Sequence, residues 1–118
     1  SDWSSDVCSS DLLTQSVYYS TADATGNWTL NFRGSSGTTL DAMLSTGQNI
    51  TCVFLAQQGS TAYYNSAVTI DGSSVTPVWQ GGSAPVAGDA SSLDVYTYSI
   101  IKTASATFKV LASITKFA

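Results

Sequence analysis

The sequence predicts an all-β fold, an antiparallel β-sandwich of jelly-roll type with about seven or eight strands and at most one short helix. Three observations lead there. Short runs rich in β-branched and aromatic residues recur at intervals of about 8 to 15 residues, separated by clusters of Gly, Asn, Asp and Ser. All eight acidic residues are Asp and none is Glu, so long surface helices lack their usual polar helix formers. No helical pattern is long enough for a βαβ crossover, which points to antiparallel sheets packed face to face. The length of 118 residues suits a single domain.

Taken in order, residues 15–20 enclose Val17-Tyr18-Tyr19, a first short strand. Residues 28–33 alternate strictly, with Trp28, Leu30 and Phe32 on one face and Thr29, Asn31 and Arg33 on the other. Gly34-Ser35-Ser36-Gly37 turns the chain, and Leu40, Met43 and Leu44 at helical spacing predict one helical turn within residues 38–45. Residues 49–56 are apolar on both faces at their centre, the pattern of a strand covered by layers on both sides. After Gln57-Gln58-Gly59-Ser60, Tyr63-Tyr64 is expected to start a further strand.

Residues 67–70 and 74–79 flank Asp71-Gly72, a dipeptide that tolerates the positive φ angles of a tight hairpin turn. Pro77 lacks a donor and predicts an edge strand or bulge there. Residues 80–92 have no periodicity and are expected to be an exposed loop. Residues 94–102 and 106–117 form the last pair, with Phe108, Val110, Ala112 and Ile114 inward and Lys109 and Leu111 outward. The expected core is Trp28, Leu30, Phe32, Ile50, Phe54 and Val68, completed by Ile70, Tyr98, Ile100, Phe108, Val110 and Ile114.

The chemistry is bounded by absences in composition. His is absent, which removes the commonest general base and metal ligand together with Ser/His and Cys/His nucleophile arrangements. Charged residues make up only 10%, while Ser and Thr number 35, so no nucleic-acid partner is expected. The longest apolar run, Cys52-Val53-Phe54-Leu55-Ala56, is far shorter than the roughly 18 residues of a membrane span, and no membrane insertion is expected. The reading is of a protein that is not an enzyme, with no catalytic residues, no cofactor and no metal.

Individual candidates are weighed on the same terms. Cys52 lies in the most apolar strand and reads as a small packed side chain. Asp23, Asp41, Asp71, Asp89 and Asp94 fall at turns or strand ends, where carboxylates bond nearby backbone amides. Asp89 and Asp94 stand close enough in one loop to suggest calcium or a glycosidase pair, yet the EF-hand spacing is missing. No glycine pattern fits a nucleophile elbow or phosphate loop, and the Asn27-Trp28-Thr29 and Asn49-Ile50-Thr51 sequons fall at strand starts. Trp79, Tyr63 and Tyr64 are the candidate ligand-binding residues: exposed, they make a stacking platform for sugar rings; buried, they are packing. The loop after Trp79 is the place to look first.

Residues 1–12, SDWSSDVCSSDL, resemble the translation of a short-read sequencing adapter, which sets them apart as non-native and starts the domain at residue 13. Without them five aspartates face four bases, and Cys52 alone remains, so no disulfide is expected within residues 13–118. With no Met before Met43, the segment is expected to be the C-terminal part of a longer protein.

The phrases YYSTADATGNWTLNFRG, LSTGQNIT, TAYYNSAVTIDGSSVTPVWQGGSAP and YTYSIIKTASATFKVLAS resemble a domain near the ends of structural and tail proteins of marine bacteriophages. The resemblance implies a non-enzymatic virion component located in the phage tail or tail fibre, often repeated or trimeric, with other virion proteins as partners. The alternative expectation is an extracellular carbohydrate-binding module that reads a host-surface glycan.

Overall fold

The computed structural model describes residues 7–118, in which the chain forms nine strands and little helix. In order, β1 is Val7–Asp11, β2 Val17–Tyr19, β3 Trp28–Arg33, β4 Asn49–Gln57, β5 Asn65–Ile70, β6 Ser73–Val75, β7 Val78–Trp79, β8 Leu93–Ala104 and β9 Thr107–Phe117. The single helical turn α1, Leu40–Met43, separates β3 from β4, and a 3-10 turn, Gln80–Gly82, follows β7. No helix among the described residues is long and apolar enough to cross a membrane.

Two sheets face each other across one core. The first runs β1-β3-β5-β6 and the second β2-β4-β8-β9-β7, in a slab measuring 41 × 31 × 19 Å. Strict alternation in β3 buries Trp28, Leu30 and Phe32, and Phe54 and Tyr96 of the second sheet meet Trp28 at ring-centroid distances of 5.9 and 5.6 Å. Phe32 meets Tyr98 edge-on at 5.2 Å. Nine of the twelve expected core residues are fully buried, while Ile50, Phe108 and Ile114 are half-buried at its margin. Tyr18, Leu40, Cys52 and Tyr96 join them.

The sheets are mixed, which corrects the antiparallel expectation. β4–β8, β8–β9 and β5–β6 are antiparallel, but β1–β3, β3–β5, β2–β4 and β7–β9 are parallel. The absence of long helices does not forbid parallel pairs when a crossover is made of strand. Between β3 and its parallel neighbour β5 the chain passes through α1 and then through β4 in the opposite sheet. The jelly-roll connectivity that an all-antiparallel ladder would allow gives way to a sandwich-like all-β fold with repeated sheet switching.

Pro77 marks one such switch. β6 is the edge of the first sheet, and two residues later β7 pairs with β9 at the edge of the second. Residues 74–79 are therefore two short strands instead of one, because proline cannot continue the ladder. The expected hairpin turn is present, with Asp71 at φ 52° and Gly72 at φ 83°. The Asp71 carboxylate also accepts from the backbone N–H groups of Leu40 and Asp41, so the turn caps α1. Tyr63 and Tyr64 precede β5 instead of starting it: their N–H groups donate to the side-chain oxygens of Gln58 and Asn27.

Residues 1–6 lie outside the described residues. The remainder of the adapter-like segment is packed: β1 lies parallel to β3, from Val7↔Thr29 to Asp11↔Arg33, with Ser10 and Leu12 buried. Asp11 Oδ1 pairs with Arg33 Nε at 2.5 Å, and Leu12 N–H donates to Arg33 O at 2.8 Å. An uncovered strand edge offers a row of backbone donors and acceptors to any extended segment within reach. The packed unit thus includes residues ahead of the boundary expected at 13.

Candidate functional site

Sheet switching at Pro77 leaves a cleft of about 500 Å³ between the β5–β6 hairpin and the segment from β7 to Pro85. Pro77, Val78 and Trp79 are among its lining, Ser66, Ser74 and Thr76 supply hydroxyls, and Ala84 and Pro85 also border it. The indole of Trp79 is held by its position on β7, opposite Ala112 of β9, and by edge-on contacts to Tyr96 and Tyr98 at 6.3 and 6.2 Å. Trp79 is thus partly buried against the core while it still borders the cleft, so both readings of Trp79 hold in part.

Asn65 forms the polar base of this region. It is buried and its side chain is fully engaged: Nδ2 donates to Trp28 O at 3.0 Å and Ala67 O at 2.8 Å, and Oδ1 accepts from Tyr98 Oη at 2.8 Å. The Asn65 backbone N–H donates to Tyr96 Oη at 3.3 Å. Burial raises the pKa of both phenols well above the usual tyrosine range, so both stay protonated, Tyr98 donating to the Asn65 side chain and Tyr96 accepting from its backbone N–H.

Tyr63 and Tyr64 are not among the residues lining the cleft. Tyr63 packs against the core, with its carbonyl accepting from Gln58 Nε2 and its N–H donating to Gln58 Oε1. The structure therefore separates Trp79 from the tyrosine pair that the sequence groups with it. The cleft-lining residues that sequence reasoning misses are Asn65, Ser66, Ser74 and Thr76, whose only local signal is the hydroxyl-rich stretch before Pro77.

The loop aspartates have a structural task. Asp94 is fully buried; its Oδ2 accepts from Gln58 Nε2 at 3.1 Å and from Asp89 N–H at 3.0 Å, and Oδ1 has no hydrogen-bond partner among the described residues. Burial, reinforced by the nearby Asp89 carboxyl, pushes the Asp94 pKa up to about 6. The carboxyl faces the interior and ties the end of residues 80–92 to β4's exit, which leaves that loop exposed only in part.

No protein-family model, curated protein or solved structure matches the chain. What the remaining polar groups can do is read from geometry alone. Among the described residues no cluster of three or more Cys or Asp side chains is placed to hold a metal ion. Cys52 is buried under Ser10, and burial drives its thiol up to about 12, which leaves it uncharged at neutral pH. Lys102 is buried: its Nζ donates to Asp41 O at 2.7 Å and Leu44 O at 2.9 Å and pairs with Asp41 Oδ1 at 2.9 Å. It satisfies the terminal carbonyls of α1, a role played by basic residues at helix ends.

Proposed function

We propose that this chain is a non-catalytic β-domain of a phage virion, part of a tail or tail fibre, that supplies structural or host-surface contacts. The reading is supported by the resembling phrases, by the weakly charged, hydroxyl-rich composition, and by a sandwich-like scaffold whose strands β5, β6 and β7 and the turn after β7 carry the cleft residues. Mass spectrometry of purified virions from phages that encode the segment tests it: the peptides are expected in the particle, and their absence from intact virions overturns the proposal.

The observation that carries the contact function is the cleft beside Trp79. The lining combines the Trp79 ring with the hydroxyls of Ser66, Ser74 and Thr76, which offers a sugar an apolar surface for its C–H face and several partners for its hydroxyls. This also favours the second reading, a carbohydrate-binding module that acts outside a virion. Binding to a broad glycan array is expected to fall at least about tenfold in Trp79→Ala, judged at a temperature where the variant is folded. No binding by the parent chain, or undiminished binding by Trp79→Ala, overturns the glycan reading in either setting.

A further inference from the structure

Loops that follow β2, β4 and β7 meet at one end of the second sheet and border a cavity of about 570 Å³ that shares no lining residue with the Trp79 cleft. Backbone hydrogen bonds hold these loops together. Ala24 N–H donates to Gln57 O at 3.0 Å, Gln58 N–H to Ser92 O at 3.0 Å and Ser91 N–H to Gly59 O at 2.8 Å. Ser91 sits at φ 55°, a conformation that residues other than glycine seldom take. The cavity is therefore built on a fixed floor, and its volume is that of a small-molecule site.

Its polar lining is ordered before any ligand arrives. Tyr19 Oη donates to Gln57 Oε1 at 2.9 Å, and Gln57 Nε2 donates to Asp23 Oδ1 at 3.0 Å. The direction of these bonds fixes what each group still offers. Tyr19 Oη has committed its proton and can only accept, and the Gln57 amide keeps a second N–H to donate. Asp23 Oδ2, which packs so close to Gly59 that an added Cβ would meet it at 3.0 Å, can only accept. Acceptor, donor and acceptor thus follow one another along the relay, the complement of neighbouring hydroxyls that each give one proton and take another. Ser60 and Ser91 add hydroxyls of their own.

We propose that this end of the sheet is a binding site for a neutral oligosaccharide, separate from the Trp79 cleft, with the Tyr19–Gln57–Asp23 relay on the sugar hydroxyls and Tyr19 and Phe117 against the apolar faces of different rings. Both aromatics line the cavity and are 51% and 56% exposed, so each has ring surface to give to a ligand. Their spacing argues for an oligosaccharide. Tyr19 is on β2, beside β4; Gln57 of β4 lies opposite Leu93 of β8, and Leu93 opposite Phe117 of β9. Three strand spacings put the two aromatics about 14 Å apart, too far for one sugar ring to touch both. Asp23 is the one charged side chain among the described lining residues, and its carboxylate repels acidic sugars. The site stands on its own geometry, whether or not the Trp79 cleft takes a glycan.

The test is a printed array of neutral and acidic glycans, followed by amide chemical-shift mapping of the full chain with the neutral oligosaccharides that bind. At least one of these is expected to move the Asp23, Gln57 and Ser91 amides together and saturably. Asp23→Ala, at an exposed position, is expected to weaken that binding at least about tenfold with the circular dichroism spectrum unchanged. Should Asp23→Ala not fold, Tyr19→Ala is judged by the same threshold. Shifts confined to Ser74, Thr76 and Trp79 overturn this proposal and leave the reading of the Trp79 cleft standing. Binding of acidic glycans alone, no glycan binding by the parent, or a folded variant weakened by less than tenfold also overturns it.

Discussion

Asp94 makes the stability of this protein depend on pH in the reverse of the usual sense for a carboxylate. An ordinary aspartate titrates near 3.8, and burial pushes Asp94 up to about 6. The native state therefore binds this proton more tightly than the unfolded chain does. The stabilisation is complete below the unfolded value and is lost as pH rises through about 6. The separation between the two values corresponds to at most about 3 kcal/mol, of which roughly 1–2 kcal/mol is lost between about pH 5 and pH 8. For a domain of this size that is about 5 °C in Tm. Asp41, whose carboxylate Lys102 and the Ala106 N–H hold below the usual range, titrates beneath this window with the opposite sign.

The assay is urea unfolding of the parent and Asp94→Asn across about pH 5 to 8, with a fixed ionic strength. The parent is expected to become less stable as pH rises, whereas the variant, which has no charge to bury, is expected to be flat and to exceed the parent at about pH 8 by 1–2 kcal/mol. Equal pH dependence in the two proteins, or a parent that gains stability toward pH 8, refutes the reasoning.

Two further perturbations probe the interior. Lys102→Met removes the ammonium that satisfies Asp41 O and Leu44 O, leaving carbonyls unpaired at a cost of about 2–4 kcal/mol; a urea midpoint that implies less than about 0.5 kcal/mol would contradict the assigned role. Gly88→Ala places a Cβ against the carbonyl oxygen of Tyr63 and 2.7 Å from Gln58 Nε2, so a Tm loss above about 10 °C by thermal unfolding is expected, and an unchanged Tm would show that the loop does not approach the Gln58 latch this closely.

The legible parts of this fold are those set by neighbours in sequence. Alternation in Trp28–Arg33 places Trp28, Leu30 and Phe32 inward, and Asp71-Gly72 makes its tight turn because the required φ angles are local properties of those residues. Trp79 was a legible candidate for the site because a tryptophan followed by Gln80-Gly81-Gly82 stands out in any loop. Its separation from Tyr63 and Tyr64 was not legible, since it depends on Gln58 seizing the backbone of Tyr63.

Composition and periodicity determined by themselves that the chain is built of short strands around an aromatic core with one helical turn. Only the tertiary structure decided that strands leaving one sheet return to it beside a parallel neighbour, and that Asp94 and Lys102 lie inside. Strand formation depends on side chains two residues apart, whereas pairing and charge burial depend on partners remote in sequence. Lys102 finds α1 carbonyls 58 and 61 residues away, and Asp94 finds Gln58 at 36. Those distances are closed by the folding of the whole chain, and no local pattern can carry them.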